Sequence, residues 1–66
     1  MTTNNIKLLT VKELSSVLSM SIGSIYMLIQ RQQIPYIKIG RRVRFNATEI
    51  ENWLSKQKVE VIKGGD

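Results

Sequence analysis

The order of signals along the chain predicts a small α+β domain, mostly helical, in which two short helices, a β-hairpin and a third helix follow one another. Three observations carry this. Capping residues precede apolar residues at helical spacing at Thr10, Ser21 and Asn46; a break of only Ser19, Met20 and Ser21 separates the first two helical segments; and a β-branched, aromatic stretch surrounds Gly40 after the single proline.

The first element follows from Thr10, Val11, Lys12, Glu13, a capping box in which the threonine hydroxyl and the glutamate each satisfy a free N–H at a helix start. Val11, Leu14 and either Val17 or Leu18 then recur on one face, giving a helix of about two turns that begins at Val11. Ser21 caps a second helix, expected to run to about Arg31, with Ile22, Ile25, Leu28 and Ile29 as its apolar stripe. Gly23, Ser24, Met27, Gln30 and Arg31 fall off that stripe, and Gly23 in the first turn lets the helix approach a ligand closely. The competing reading of Met27 is an adaptable core filler.

Pro35 ends helical continuation, and the stretch from Ile34 to Phe45 reads as a hairpin. Two registers compete. A two-residue turn at Gly40 and Arg41 pairs Ile39 with Arg42 and sets Ile37 on the face of Arg44, whereas an odd loop pairs Ile37 with Phe45 and, if tight, Ile39 with Val43. The odd loop is preferred because it makes one clean apolar face, and it sets Lys38 opposite Arg44 on the outward side. Asn46 with Glu49 then caps a third helix from about Ala47 to Gln57, where Ile50, Trp53 and Leu54 share a face and Trp53 closes the core. The tail from Lys58 to Asp66 fits a helical extension, a short strand or a disordered end equally well. The division expected is an N-terminal arm over 1–8, a domain over 9–57 and a tail over 58–66, and helix, helix, hairpin, helix is a winged helix-turn-helix layout.

A chain of 66 residues is one domain, and at that size only about 60% of the unfolded surface is buried. With no cysteine and no histidine, neither a disulfide nor the usual zinc ligands support the fold. The formal net charge of +5 comes wholly from one window: Arg31, Lys38, Arg41, Arg42 and Arg44 have no acid among them, and the remaining five basic residues match the five acids. Such a concentration fits either a solvated charged surface or a polyanionic partner, and the helix, helix, hairpin, helix layout favours the second. Catalysis is not expected. Histidine is absent, the acids are scattered, no glycine-rich phosphate loop occurs, and Tyr26 or Tyr36 as a nucleophile would lack the surrounding bases and cations. No cofactor, metal or small-molecule substrate is expected, for want of the usual ligands and of a phosphate cradle, and no membrane partner, since no apolar run approaches the roughly 20 residues of a span.

The run from Leu8 to Leu54 contains Leu9-Thr10 with Glu13, Ser21 with Ser24-Ile25-Tyr26, Ile34-Pro35, Lys38-Ile39-Gly40-Arg41-Arg42, Arg44-Phe45 and Trp53-Leu54. In this joint pattern the chain resembles the excisionase-type branch of MerR-like winged helix-turn-helix proteins. The resemblance implies that the second helix enters the major groove of duplex DNA, with base-reading positions on Gly23, Met27 and Gln30, and that the hairpin wing reaches a minor groove through Arg41. Ser21, Ser24, Tyr26, Arg31, Lys38, Gly40, Arg42 and Arg44 complete the expected DNA-contacting set. It also implies an accessory role in recombination, with an integrase of the tyrosine recombinase kind and further copies of the chain as partners, in a cytoplasmic protein of bacterial or phage origin. Relatives include transcriptional regulators using the same surface. One departure is Gln32, where the family commonly has glycine after the recognition helix, and a left-handed glutamine there would cost about 1 kcal/mol.

Overall fold

Each helix starts where a side chain takes up an N–H that the helix cannot satisfy itself. In the computed structural model, which describes residues 6–59, the order is β1 (Leu8–Leu9), α1 (Val11–Leu18), α2 (Ile22–Gln30), β2 (Ile37–Ile39), β3 (Arg42–Asn46) and α3 (Ala47–Gln57). At α1 the capping box closes both ways: Glu13 N–H donates to Thr10 Oγ1 at 3.0 Å and Thr10 N–H to the Glu13 carboxylate at 2.9 Å. Ser21 Oγ accepts from Ser24 N–H at 3.1 Å to start α2, and Asn46 Oδ1 accepts from Glu49 N–H at 3.0 Å to start α3.

The first two helices end on left-handed residues. Ser19 has φ 55°, and Met20 N–H turns back to the Ser15 carbonyl at 3.0 Å, while Ser15 Oγ donates to the Met20 carbonyl at 2.7 Å. This locks the tight turn into α2. At the far end Gln32 also has φ 55°, Gln32 N–H reaches the Ile29 carbonyl at 3.0 Å and Gln33 N–H the Leu28 carbonyl at 2.8 Å. Those two bonds form a Schellman cap, whose left-handed position favours glycine. Gln32→Gly is therefore expected to raise stability by about 0.5–1 kcal/mol, read as a higher urea midpoint with an unchanged slope. A midpoint at or below that of the parent would refute the strain assigned to Gln32.

The sheet is antiparallel with order β1-β3-β2. Its hairpin corrects the preferred register: Ile37 pairs with Arg44, Lys38 with Val43 and Ile39 with Arg42, around a two-residue turn in which Gly40 has φ 62°. Positive φ at the first central residue is the demand that this turn places on glycine. Lys38 and Arg44 therefore do not face each other, and they lie on opposite faces of the hairpin. The clean apolar face that argued for the odd loop is not needed, because the distal hairpin projects past the core, with Ile39 51% exposed. β1 was not expected at all, and Leu8, assigned to the arm, is a strand residue. Leu8 pairs with Asn46, Leu9 with Phe45, and Ala47 N–H donates to the Lys7 carbonyl at 3.1 Å.

Six residues form the buried centre: Val11 and Leu14 from α1, Ile25 from α2, Ile34 from the connection, Phe45 from β3 and Ile50 from α3. Leu9, Leu18, Met20, Leu28, Ile29, Val43 and Trp53 pack around them, half-buried. Leu18, rather than Val17, completes the stripe of α1, since Val17 is exposed. Ile22 and Leu54, placed in apolar stripes by their spacing, are exposed enough (43% and 40%) to belong to the rims of those stripes. Trp53 packs on the core and its indole N–H donates to the Gln33 carbonyl at 2.8 Å, tying α3 to the turn after α2. Lys58 and Val59 continue the tail without regular structure; Val61 and Ile62, and the arm before Ile6, lie outside the described residues.

Candidate nucleic-acid interface

The direction in which each residue of α2 points follows from helix geometry. At about 100° per residue, Gly23, Met27 and Gln30 fall within a sector of roughly 60°, centred about 170° away from Ile25. Ile25 is fully buried, so this sector faces outward, and all three residues are exposed. Met27 is 45% exposed, which sets aside its reading as a core filler. Ser24 and Tyr26, both exposed, flank the sector on its two sides, with Arg31 at the C-cap.

Ser21 is already engaged: its hydroxyl accepts from Ser24 N–H and donates to Ser24 Oγ at 2.9 Å. The N–H groups of Ile22 and Gly23 are first-turn donors that no carbonyl of the helix can reach. At Gly23 an added Cβ would find only Ser21 Oγ, 4.0 Å away. The glycine is thus not required by the packing of the domain, and its effect is to keep the outward surface of the first turn low.

The hairpin carries the charge. Gly40, Arg41 and Arg42 are exposed at its tip, and Lys38 is exposed on the Val43 face. Arg44 is half-buried, with Nη1 donating to the Val43 carbonyl at 2.8 Å, which orients the guanidinium. β1 covers only the part of β3 at Phe45 and Asn46. Where β1 gives way to α1, a cleft opens beside Arg42, Val43 and Arg44. It has a volume of about 370 Å³ and is lined by Thr10, Val11 and Lys12 from the start of α1, Tyr26 from α2, and Arg41, Arg42, Val43 and Arg44. Tertiary structure thus brings Tyr26 together with three of the expected arginines, leaves Lys38 out, and adds Lys12, which no local pattern had singled out.

The described residues contain no group of three or more His, Cys, Asp or Glu able to hold a metal ion, and no helix long and apolar enough to cross a membrane. An exposed low-charge helix face beside a basic hairpin is instead suited to a long polyanion with readable edges. Comparison with curated proteins and with solved structures returned no match. A family model described as a helix-turn-helix domain matches residues 8–58, from the first residue of β1 to the C-cap of α3. That span contains the whole sheet, all three helices and both parts of the exposed surface, and the chain belongs to this family of DNA-binding helix-turn-helix domains.

Proposed function

We propose that the chain is an excisionase-type recombination directionality factor, MerR-like in its binding mode, which binds and bends duplex DNA so that an integrase can excise a mobile element. The observation that carries this reading is the division of labour on the surface. The outward sector of α2 holds Gly23, Met27 and Gln30 and no charge, while Arg41, Arg42 and Arg44 sit on the hairpin. Gln30 can pair with an adenine edge and Met27 can touch a thymine methyl, but Gly23 reads nothing by side chain. Affinity then rests on phosphates and on DNA shape, as in a protein whose task is to bend DNA at several adjacent sites. In this docking α2 lies in the major groove, with Ser21, Ser24 and Arg31 at its backbone edges. The Gly40 and Arg41 tip enters the adjacent minor groove, and Lys38, Arg42 and Arg44 meet phosphates.

The test is footprinting across the attachment sites beside an integrase gene of the same genome, together with electrophoresis of duplexes in which the site is moved from end to middle. Protection of those sites with a position-dependent mobility supports the role. Protection confined to promoters, without bending, would replace it with that of a small transcriptional regulator working in the same cytoplasmic setting.

Within this docking the two kinds of contact are separable. Gln30→Ala is expected to relax preference at one base pair by about 1–3 kcal/mol, whereas Arg31→Ala weakens binding to all sequences alike. Titrations against a specific duplex and its single-base variants check this. Equal losses on specific and random duplexes for both variants would remove base readout from α2.

A further inference from the structure

The cleft between α1 and the hairpin has a use that follows from straddling DNA. A module with one element in the major groove and another in the neighbouring minor groove has a single sugar-phosphate strand passing between them. Between α2 and the wing of this chain lies the cleft of Lys12, Tyr26, Arg41, Arg42 and Arg44. We propose that this cleft seats one backbone phosphodiester of the strand between the grooves, and that Lys12 is a DNA contact acting jointly with Arg42 and Arg44. The inference rests on the duplex-binding reading above.

Four features argue for a seat rather than an accidental concavity. Charge of one sign converges on it from elements far apart in sequence: Lys12 from α1, and Arg42 and Arg44 from β3. Arg44 is held in place by its bond to the Val43 carbonyl, which spends one of five guanidinium donors and leaves the rest for a ligand. Glu13, the nearest acid in sequence, is occupied by the capping box and does not line the cleft. Tyr26 closes one side with a hydroxyl able to donate to a phosphate oxygen. Two elements that read different grooves are thereby anchored on the same strand, which sets the register of the wing relative to α2.

The experiment uses the full chain and duplexes carrying one uncharged methylphosphonate at successive positions of either strand. The parent is expected to lose affinity at a short run of positions on one strand. Lys12→Gln, at an exposed position, is expected to keep the parental unfolding midpoint, to bind all sequences less tightly, and to lower the slope of log affinity against log salt by about 0.9. Its disadvantage therefore shrinks about three- to fourfold between 50 and 200 mM salt. At one methylphosphonate position within that run, Lys12→Gln should lose nothing further. Lys56→Gln on α3, which removes the same charge outside the cleft, should leave the slope unchanged, and Tyr26→Phe should weaken binding severalfold at constant slope. A Lys12→Gln protein with parental slope, or with parental sensitivity at every methylphosphonate, overturns the seat while leaving duplex binding intact. A parent that binds no duplex at any salt overturns the DNA reading itself.

Discussion

Phe45→Ala is expected to leave the chain unfolded at room temperature. Phe45 is fully buried, pairs with Leu9 across β1 and β3, and stands at the junction of sheet and helices. Truncating a buried phenylalanine costs about 3–5 kcal/mol, from lost transfer energy and from the cavity left behind. A chain of 66 residues has a total stability of roughly 3–10 kcal/mol at 0.05–0.15 kcal/mol per residue. The loss equals the whole at the lower end of that range, where a domain of this size without a disulfide or a zinc site belongs. Among the described residues the core has six buried members drawn from five segments, so the hole is not shared out among neighbours of the same kind. Circular dichroism with urea titration reads the result, and Val17→Ala serves as the comparison, because Val17 is 65% exposed and its truncation should change stability by no more than about 0.5 kcal/mol. A Phe45→Ala protein with the parental urea midpoint would mean that the six-residue centre does not hold the domain together.

The contrast between Phe45 and Val17 also shows what kind of information the chain presents locally. Helix starts were legible because their signal lies within four residues: Thr10 with Glu13, Ser21 with Ser24 and Asn46 with Glu49 each close a bond over three positions. The outward sector of α2 was legible for the same reason, since one buried residue, Ile25, orients the whole helix. The hairpin register is not legible in the same way, because two principles conflict there and the demand for one apolar face is the weaker. A clean apolar face matters where a sheet covers a core, but of β2 and β3 only Val43 and Phe45 meet the core here, and the tip stands clear of it. With no core beneath Ile39, the conformational demand of the turn at Gly40 sets the register.

β1 and the cleft were invisible for a different reason. Two residues, Leu8 and Leu9, cannot show alternation, and their partners Asn46 and Phe45 lie far along the chain. Lys12 is an ordinary exposed residue of a first helical turn until the sheet places Arg42 and Arg44 beside it. Side chains that act together through tertiary structure leave no spacing to read. The basic window from Arg31 to Arg44 did mark the charged hairpin, but it could not distribute its members. Lys38 lies on one face, Arg44 on the other, and only Arg41, Arg42 and Arg44 border the cleft.

Gly23 is the position where folding and binding should respond in opposite directions. Glycine costs a helix up to about 1 kcal/mol relative to alanine, less in the first turn than in the middle. A glycine at such a place commonly answers to a crowded neighbour or a left-handed backbone, and neither applies here. Outside the helix's own backbone an added Cβ meets nothing nearer than Ser21 Oγ at 4.0 Å, and among the described residues positive φ is confined to Ser19, Gln32 and Gly40. In the proposed docking, what the glycine provides is external: a low surface at the N-terminal turn of α2, through which the helix can press toward the floor of the major groove beside the first-turn N–H groups of Ile22 and Gly23, which no helix carbonyl satisfies. Gly23→Ala should accordingly raise the urea midpoint slightly while weakening specific binding. Gly23→Leu should leave the fold intact and weaken specific binding about 100-fold, about 2.8 kcal/mol, because its side chain must either hold the helix off the base edges or overfill the contact. Weak binding to random duplexes, which the proposed docking assigns to the hairpin arginines, should fall much less. Circular dichroism and duplex titration on the same samples separate the two effects. A folded Gly23→Leu protein that binds its specific site like the parent would show that the first turn of α2 does not come close to the bases, and would move the docking of this helix away from the groove floor.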